Sequence, residues 1–437
     1  MSKQPEMTDR GVRQERAILV GVITPSDEKS YEPPLTELRR LAETAGANVI
    51  EMVTQKRARI VPATYVGKGK ALEIAEFAKA FDADVVIVNH DLTPAQARNL
   101  EKLVECRIVD RSELILDIFA TNARTRQARI QVEVAQLEYT RPRLRRMWTH
   151  LSRIEGGIGL RGPGETQIEV DKRIVARRLR DLKSQLQVVE RRRRQHVAAR
   201  EDYFSVGLVG YTNAGKSTLM KALTGEDVKV EDKLFSTLDT KTREWVLPGN
   251  KRVFLSDTVG FLRDLPHHLV ASFQATLAEA RHADLLLHVV DASHPDLELH
   301  VSAVRRTLED VDALESPRIL VFNKSDRLDD LIAVRHVAGD HPHWIVVSAR
   351  TGEGLPDLAA MVAAQIDRRM VDVIVTADAG DGAIQARLAR TGRIMARDYE
   401  DGRVRIEVRL PRLEASRLRG EARSDEGLAV ELAGETR

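Results

Sequence analysis

The sequence predicts an α/β protein built around a doubly wound, largely parallel sheet, with smaller units on both sides. Three observations carry this. Apolar strand-like runs alternate with helical patterns over residues 15–120 and again from Ser205 to about Ile366. Between them, from Arg124 to Arg200, strand patterning stops and apolar residues recur every seventh position. A last segment, from Val371 to about Ala422, mixes one helical stretch with two strands around the turn "EDGR" and reads as a small α+β domain. The expected boundaries are a tail at 1–14, an N-terminal α/β domain at 15–120, a helical hairpin at 121–202, the central domain at 203–368, the small domain at 369–425 and a tail at 426–437.

In the first unit, "RAILVGV", "ANVIEMV" and "ADVVIVN" read as strands. "PPLTELRRLAETAG" and "GKALEIAEFAKAF" read as amphipathic helices, the first stopped by Gly46. In the hairpin, Ile130, Leu137, Leu144 and Leu151 form one seam with Val134 and Trp148 beside it. Ile168, Val175, Leu182 and Val189 form the other, with Leu179 and Leu186. Two such seams bury each other in an antiparallel pair, and Pro142 is expected to kink the first helix. The strands of the central domain are "SVGLVG", "KRVFLSD", "ADLLLHVVD", "PRILVFN" and "HWIVVSA". In such a sheet, ligands belong to the loops at the C-terminal strand ends.

Composition narrows the setting. A chain of 437 residues exceeds one core, and its single cysteine, Cys106, excludes an internal disulfide framework. Cys106 itself reads as a strand-edge residue. No apolar run approaches the ~18 residues of a membrane helix, and the N-terminus lacks the apolar core of a signal peptide. A monomer in the cytoplasm is expected, without integral membrane association; weak peripheral association stays open. The net charge of +2 conceals a basic stretch: Lys172 to Arg200 carries eleven Lys/Arg against two acidic residues. With so few carboxylates and aromatics nearby, phosphate contact with folded RNA fits better than ion-pair lacing or base stacking.

The sharpest motif is "GYTNAGKST", which fits G-x-x-x-x-G-K-[ST] directly after a strand and before a helical segment. Backbone N–H groups from Gly210, Tyr211, Thr212, Asn213, Ala214 and Gly215 are placed to converge on phosphate oxygens. Lys216 supplies charge to the β/γ-phosphates, Ser217 offers a hydroxyl to Mg2+, and Thr218 follows on the helix. Forty residues past Ser217, "DTVG" begins at Asp257 and ends a strand. Asp257 is a Mg2+ partner and Gly260 a γ-phosphate donor, with Thr258 and Val259 between them.

"NKSD" then ends the next-but-one strand with Asn323, Lys324 and Asp326. This spacing resembles the GTPase superfamily, in which the aspartate of that element selects guanine through its N1–H and amine. The resemblance places Ser348, Ala349 and Arg350 in the last base-contacting loop. In "LFSTLDT" it places Phe235 beside the nucleotide and makes Thr237 the switch threonine that completes the Mg2+ shell. Lys216, Thr237 and Gly260 are therefore the expected catalytic set, with Ser217, Thr237 and Asp257 on Mg2+ and GTP/GDP as the nucleotide. Phe261 stands where many GTPases carry a glutamine that orients the attacking water, so slow intrinsic hydrolysis, accelerated by a partner, is expected. His267 and His268 read as a solvated helix start.

"YVGKGKALEIAE", "LILDIFA", "GGIGLRGPGETQ", "GYTNAGKSTL", "FSTLD" and "DTVGFLRDLP" together resemble the HflX family of GTPases, over roughly residues 17–368. The resemblance implies a stress-responsive GTPase that binds the large (50S) ribosomal subunit and splits or rescues stalled ribosomes. It implies that the hairpin reaches toward 23S rRNA. It also associates ATP binding with the N-terminal domain, where "YVGKGK" is the sole glycine–lysine loop and lacks a P-loop pattern, so no ATP ligands are assigned.

"GGIGLRGPGETQ" has no following Lys-[ST] and no preceding strand, so it reads as a shaped hairpin tip rather than a phosphate cradle. The expected RNA contacts are Gly159, Arg161, Gly162 and Gly164 there, with Arg191, Arg192, Arg193 and Arg194 on the basic helix.

Overall fold

The computed structural model describes residues 14–25, 30–143, 167–198, 204–225, 234–235, 237–238, 240–263, 280–423 and 427–432. The first sheet holds four parallel strands in the order β2-β1-β3-β4: β1 (Arg16–Ile23), β2 (Asn48–Lys56), β3 (Val85–Val88) and β4 (Arg107–Asp110). Helices α1 (Thr36–Thr44) and α4 (Arg111–Asn122) share one apolar core, and α2 (Lys68–Ala80) and α3 (Pro94–Val104) share another. β1 and β3 are buried on both faces, which is why they read as continuous apolar runs. The sequence reading lacked β4, α3 and α4. β4 is only four residues long, and Cys106 precedes it, half-buried. α3 is nonetheless well signalled: Thr93 and Gln96 form a capping box and Pro94 opens the helix.

α5 (Arg126–Thr140) starts on the Thr125 side-chain cap and packs on α6 (Gln167–Ala198). The seam holds Ile130, Val134, Leu179 and Leu182, flanked by Leu137, Val175 and Leu186, as the heptads predict. Glu133 pairs with Arg178 and Glu138 with Lys183 along it. α5 ends before Pro142, which sits in a 3₁₀ turn, Arg141–Arg143; the chain beyond this turn, on which the expected kink depends, lies outside the described residues. There Arg143 stacks over Tyr139 and donates to the Leu92 carbonyl at 2.6 Å and to buried Asp110 at 3.3 Å. The antiparallel closure and the glycine-rich tip lie outside the described residues, as do Leu144, Trp148 and Leu151.

The central sheet has six strands in the order β10-β9-β8-β5-β7-β6. They are β5 (Phe204–Gly210), β6 (Lys241–Leu247), β7 (Lys251–Asp257), β8 (Leu285–Asp291), β9 (Arg318–Asn323) and β10 (Trp344–Val346). The five expected strands are parallel. β6 adds an antiparallel edge against β7, and its charged sequence "KTREWVL" masked it. Among the described residues, the helices of this domain are α7 (Lys216–Thr224), α8 (Leu297–Asp310), α9 (Ile332–Ala338) and α10 (Leu355–Arg369).

α10 passes directly into β11 (Met370–Asp378). Then follow α11 (Gly382–Thr391), β12 (Arg393–Glu400), β13 (Arg403–Pro411), α12 (Arg412–Ala422) and β14 (Ala429–Leu432). The order βαββαβ with the antiparallel sheet β12-β13-β11-β14 is a ferredoxin-like split, richer by two strands and one helix than the expected unit. Its core of Val373, Val375, Val404, Ile406, Val408 and Leu418 is separate from the others. The N-terminal and central domains, in contrast, share one continuous core that joins Phe119 and Ile115 to Phe235, Phe261 and Leu286. Among the described residues, no helix is long and apolar enough to cross a membrane.

Candidate nucleotide site

The loops after β5, β7 and β9 meet at one end of the central sheet around an open cleft of about 290 Å3. Thr212, Asn213, Gly215, Lys216, Ser217, Thr218, Phe235, Thr237, Gly260, Asn323, Lys324, Asp326, Ala349 and Arg350 line it, together with Arg327, which the sequence reading did not select. The close approach of segments explains two glycines. A Cβ on Gly215 (φ 91°) would lie 2.3 Å from Asn323 Nδ2, and one on Gly260 would lie 2.9 Å from Thr212 Cα.

At the phosphate end, Lys216 is buried and its Nζ donates to the carbonyls of Gly210 (3.1 Å) and Tyr211 (3.0 Å). Burial pulls its pKa down to about 8, and the nearby Asp257 charge only partly opposes this. Ser217 Oγ donates to Asp257 Oδ2 at 2.6 Å; Thr237 Oγ1 lies 2.8 Å from Ser217 Oγ and 3.2 Å from the same carboxylate oxygen. Asp257 is fully buried, its Oδ1 has no hydrogen-bond partner among the described residues, and burial raises its pKa despite Lys216. Two hydroxyls and an under-satisfied carboxylate within this distance form an oxygen donor set of the kind a hard divalent cation takes.

At the opposite end, Asn323 Nδ2 donates to the Ala214 carbonyl (3.0 Å) and its Oδ1 accepts from Ala349 N (2.9 Å), tying the three loops together. Asp326 accepts from Ser348 Oγ (2.5 Å) and pairs with the exposed Arg350 (2.6 Å). The Ser348 hydrogen bond first, and Arg350 second, hold its carboxyl below the usual range. A carboxylate so fixed is a ready acceptor for two adjacent N–H donors.

Several predicted residues serve the frame, Phe235 in addition to lining the cleft. Thr258 Oγ1 donates to the Leu208 carbonyl (2.7 Å), and Val259 lies in the apolar core. The Phe235 ring packs edge-on against Phe119 of the N-terminal domain at 4.8 Å. Its N–H donates to Thr212 Oγ1 (3.0 Å), and its carbonyl accepts from Asn122 Nδ2 (2.9 Å). The Tyr211 side chain turns away from the cleft: it stacks on His300 at 3.8 Å, donates to Glu37 (2.8 Å) and accepts from Arg263 N (2.9 Å). Phe261 is buried, and its backbone bridges Gly210 (3.1 Å) and Thr212 (2.7 Å). Sequence reasoning missed Asn122, Glu37 and Arg111, which pairs with Glu37 and reaches the Arg263 carbonyl (3.3 Å). Contacts between such distant positions leave no periodic signal. Gly159, Arg161, Gly162, Gly164, His267 and His268 lie outside the described residues. Arg191, Arg192, Arg193 and Arg194 fall on the last turns of α6.

Comparison with known proteins agrees with this geometry. Residues 32–120 match a family described as GTP-binding GTPase N-terminal, 122–200 a GTP-binding GTPase middle region, and 205–324 a 50S ribosome-binding GTPase. The chain is 42% identical over 416 residues to GTPase HflX of Escherichia coli K12, covering 94% of this chain and 97% of that one. It is 45% identical over 425 residues to GTPase HflX of Magnetococcus marinus (96% and 97% covered). It is 50% identical over 318 residues to the same-named protein of Caldanaerobacter subterraneus (72% and 73%). A P-loop, a DTVG strand end and an NKSD strand end around one cleft, on a chain matched nearly end to end, make this a GTPase of the HflX family.

Proposed function

We propose that the chain is a GTP-driven switch that binds the large ribosomal subunit and splits or rescues stalled ribosomes under stress, acting as a monomer in the cytoplasm. The observation that carries it is the joint hold on Thr237 and Phe235. Thr237 sits within 3.2 Å of the Ser217–Asp257 pair, while Phe235, two residues earlier, is bound to Asn122 and Phe119 of the N-terminal domain. A loop fixed at one end by the nucleotide site and at the other by the neighbouring domain transmits the γ-phosphate's presence. The matched description of residues 205–324 and the relatives' shared name support the ribosomal target.

In the cleft, Lys216 is the buried cation for the β/γ-phosphates, and a phosphate oxygen beside it supplies the anionic partner its carbonyl contacts lack. Ser217, Thr237 and Asp257 would hold Mg2+, which neutralises charge on those phosphates. The Gly260 N–H would donate to the γ-phosphate, and Asp326, Asn323 and Ala349 would form the guanine end. Phe261 offers no side-chain hydrogen bond to an attacking water, so turnover is slow until a partner orders the site. The basic stretch of α6 and the glycine-rich tip contact 23S rRNA.

The test is GTP turnover with purified 50S, 30S and 70S particles, alongside sedimentation of 70S ribosomes. Stimulation by 50S or 70S, with GTP-dependent release of subunits, is expected. Stimulation without subunit release would leave a GTP-gated RNA-binding scaffold. No stimulation by any particle would overturn the ribosomal reading.

A further inference from the structure

Asp291 ends β8 directly beside Asn323, its register partner at the end of β9, yet it belongs to none of the nucleotide motifs. Its Oδ2 accepts from Lys324 Nζ at 2.6 Å, and the same ammonium donates to the Asn213 carbonyl of the P-loop at 3.0 Å. Both charged side chains are largely shielded, 14% and 16% exposed. Lys324 stands at φ 68°, a conformation that costs a non-glycine residue energy and persists only where the surroundings over-determine it. The carboxylate is fixed in turn: its Oδ1 accepts from Ser293 N (3.1 Å) and Ser293 Oγ (2.7 Å). The loop that carries both residues is pinned from outside. Asp296 accepts from Ser30 Oγ (2.5 Å) and Tyr31 N (2.6 Å), and His294 meets Glu32 at 3.1 Å.

A lysine stem lining a nucleotide cleft has four rotatable carbons, and holding its tip in one place removes that freedom before the nucleotide arrives. We infer that Asp291 is a positioning residue for guanine-nucleotide binding, locking the Lys324 side chain across the cleft between the P-loop and the base-recognition loop. The inference rests on the placement of guanine nucleotide in this cleft.

The experiment measures affinity and dissociation rate of a fluorescent methylanthraniloyl-GDP for wild type, Asp291→Asn, Lys324→Ala and the double variant. Asp291→Asn keeps the shape and the Ser293 acceptor while turning an amide toward the ammonium. It is expected to weaken binding about tenfold, mainly through faster dissociation. In the Lys324→Ala background the same change is expected to cost less than about twofold, because its effect passes through Lys324. Ser293→Ala gives a milder loss in the same direction, equally silent without Lys324, and covers the case in which Asp291→Asn fails to fold. Equal losses in both backgrounds, or unchanged affinity in the single variants, would overturn the inference. Failure of the wild type to bind the probe would instead overturn the site assignment.

Discussion

The N-terminal and central sheets are built alike, yet they end differently. Both place parallel strands with buried central members and loops at their C-terminal edge. In the central sheet, the loops after β5, β7 and β9 leave an open cleft lined by polar groups, among them Lys216, Thr237 and Asp326. In the N-terminal sheet, the corresponding edge is closed by side chains. Tyr65 OH accepts from Val22 N (3.0 Å) and meets His90 Nδ1 (2.8 Å), Ser112 donates to Asp91 (2.6 Å), and Arg111 donates to Asn89 (3.1 Å). The "YVGKGK" loop spends the Gly67 N–H on Gln55 (2.9 Å). Sheet topology therefore marks where a ligand site belongs, and loop chemistry decides whether the site is open or sealed.

The strongest way to break this comparison is Lys216→Ala. Removing the buried cation should lower single-turnover GTP hydrolysis by about 10²–10³-fold, with little change in the melting curve. Hydrolysis within tenfold of wild type would mean that nucleotide chemistry lies elsewhere in the molecule.

A smaller effect tests the sealed edge. Tyr65→Phe leaves the Val22 N–H buried without its acceptor, and should cost about 1–3 kcal/mol in denaturant unfolding while leaving basal GTP turnover unchanged. A stability loss accompanied by changed turnover would show that the edge belongs to a working site.

The smallest effect concerns His288 in β8, buried, with Nε2 unpartnered among the described residues. Burial first, and nearby Arg318 next, depress its pKa from 6.5 to about 3. The unfolded chain therefore takes up this proton first as pH falls, so stability present above pH 6.5 is lost progressively toward pH 3. His288→Leu should flatten the fall of the thermal midpoint between pH 7 and pH 5, with little change near pH 8. An unaltered slope would place the acid sensitivity on other groups.

What was legible in the sequence follows the same division. The P-loop, the strand-end Asp257 and the Asn323–Asp326 element are local signatures, because converging phosphate donors require glycine and lysine at fixed spacing. The seam of α5 and α6 was legible because a period of seven is written along the chain. The antiparallel edge β6 was not, since charged Lys241 and Arg243 share the alternation of Trp245 and Leu247, the only two buried residues of the strand. Nor were β11 and β14, whose pairing joins residues as far as 59 positions apart, as in Val373 with Leu432. The second role of Tyr211 was hidden for a related reason: its partners Glu37 and His300 come from opposite sides of it in sequence.

Helix α6 has a consequence of scale. Its 32 residues at 1.5 Å each set Gln167 and Ala198 about 48 Å apart. That is about six Debye lengths at physiological salt, so a charge at one end is invisible at the other. The glycine-rich stretch precedes Gln167 and the P-loop strand follows Ala198. Any signal carried between them along this helix travels as displacement of a stiff rod, and its fidelity is set by how straight the rod remains.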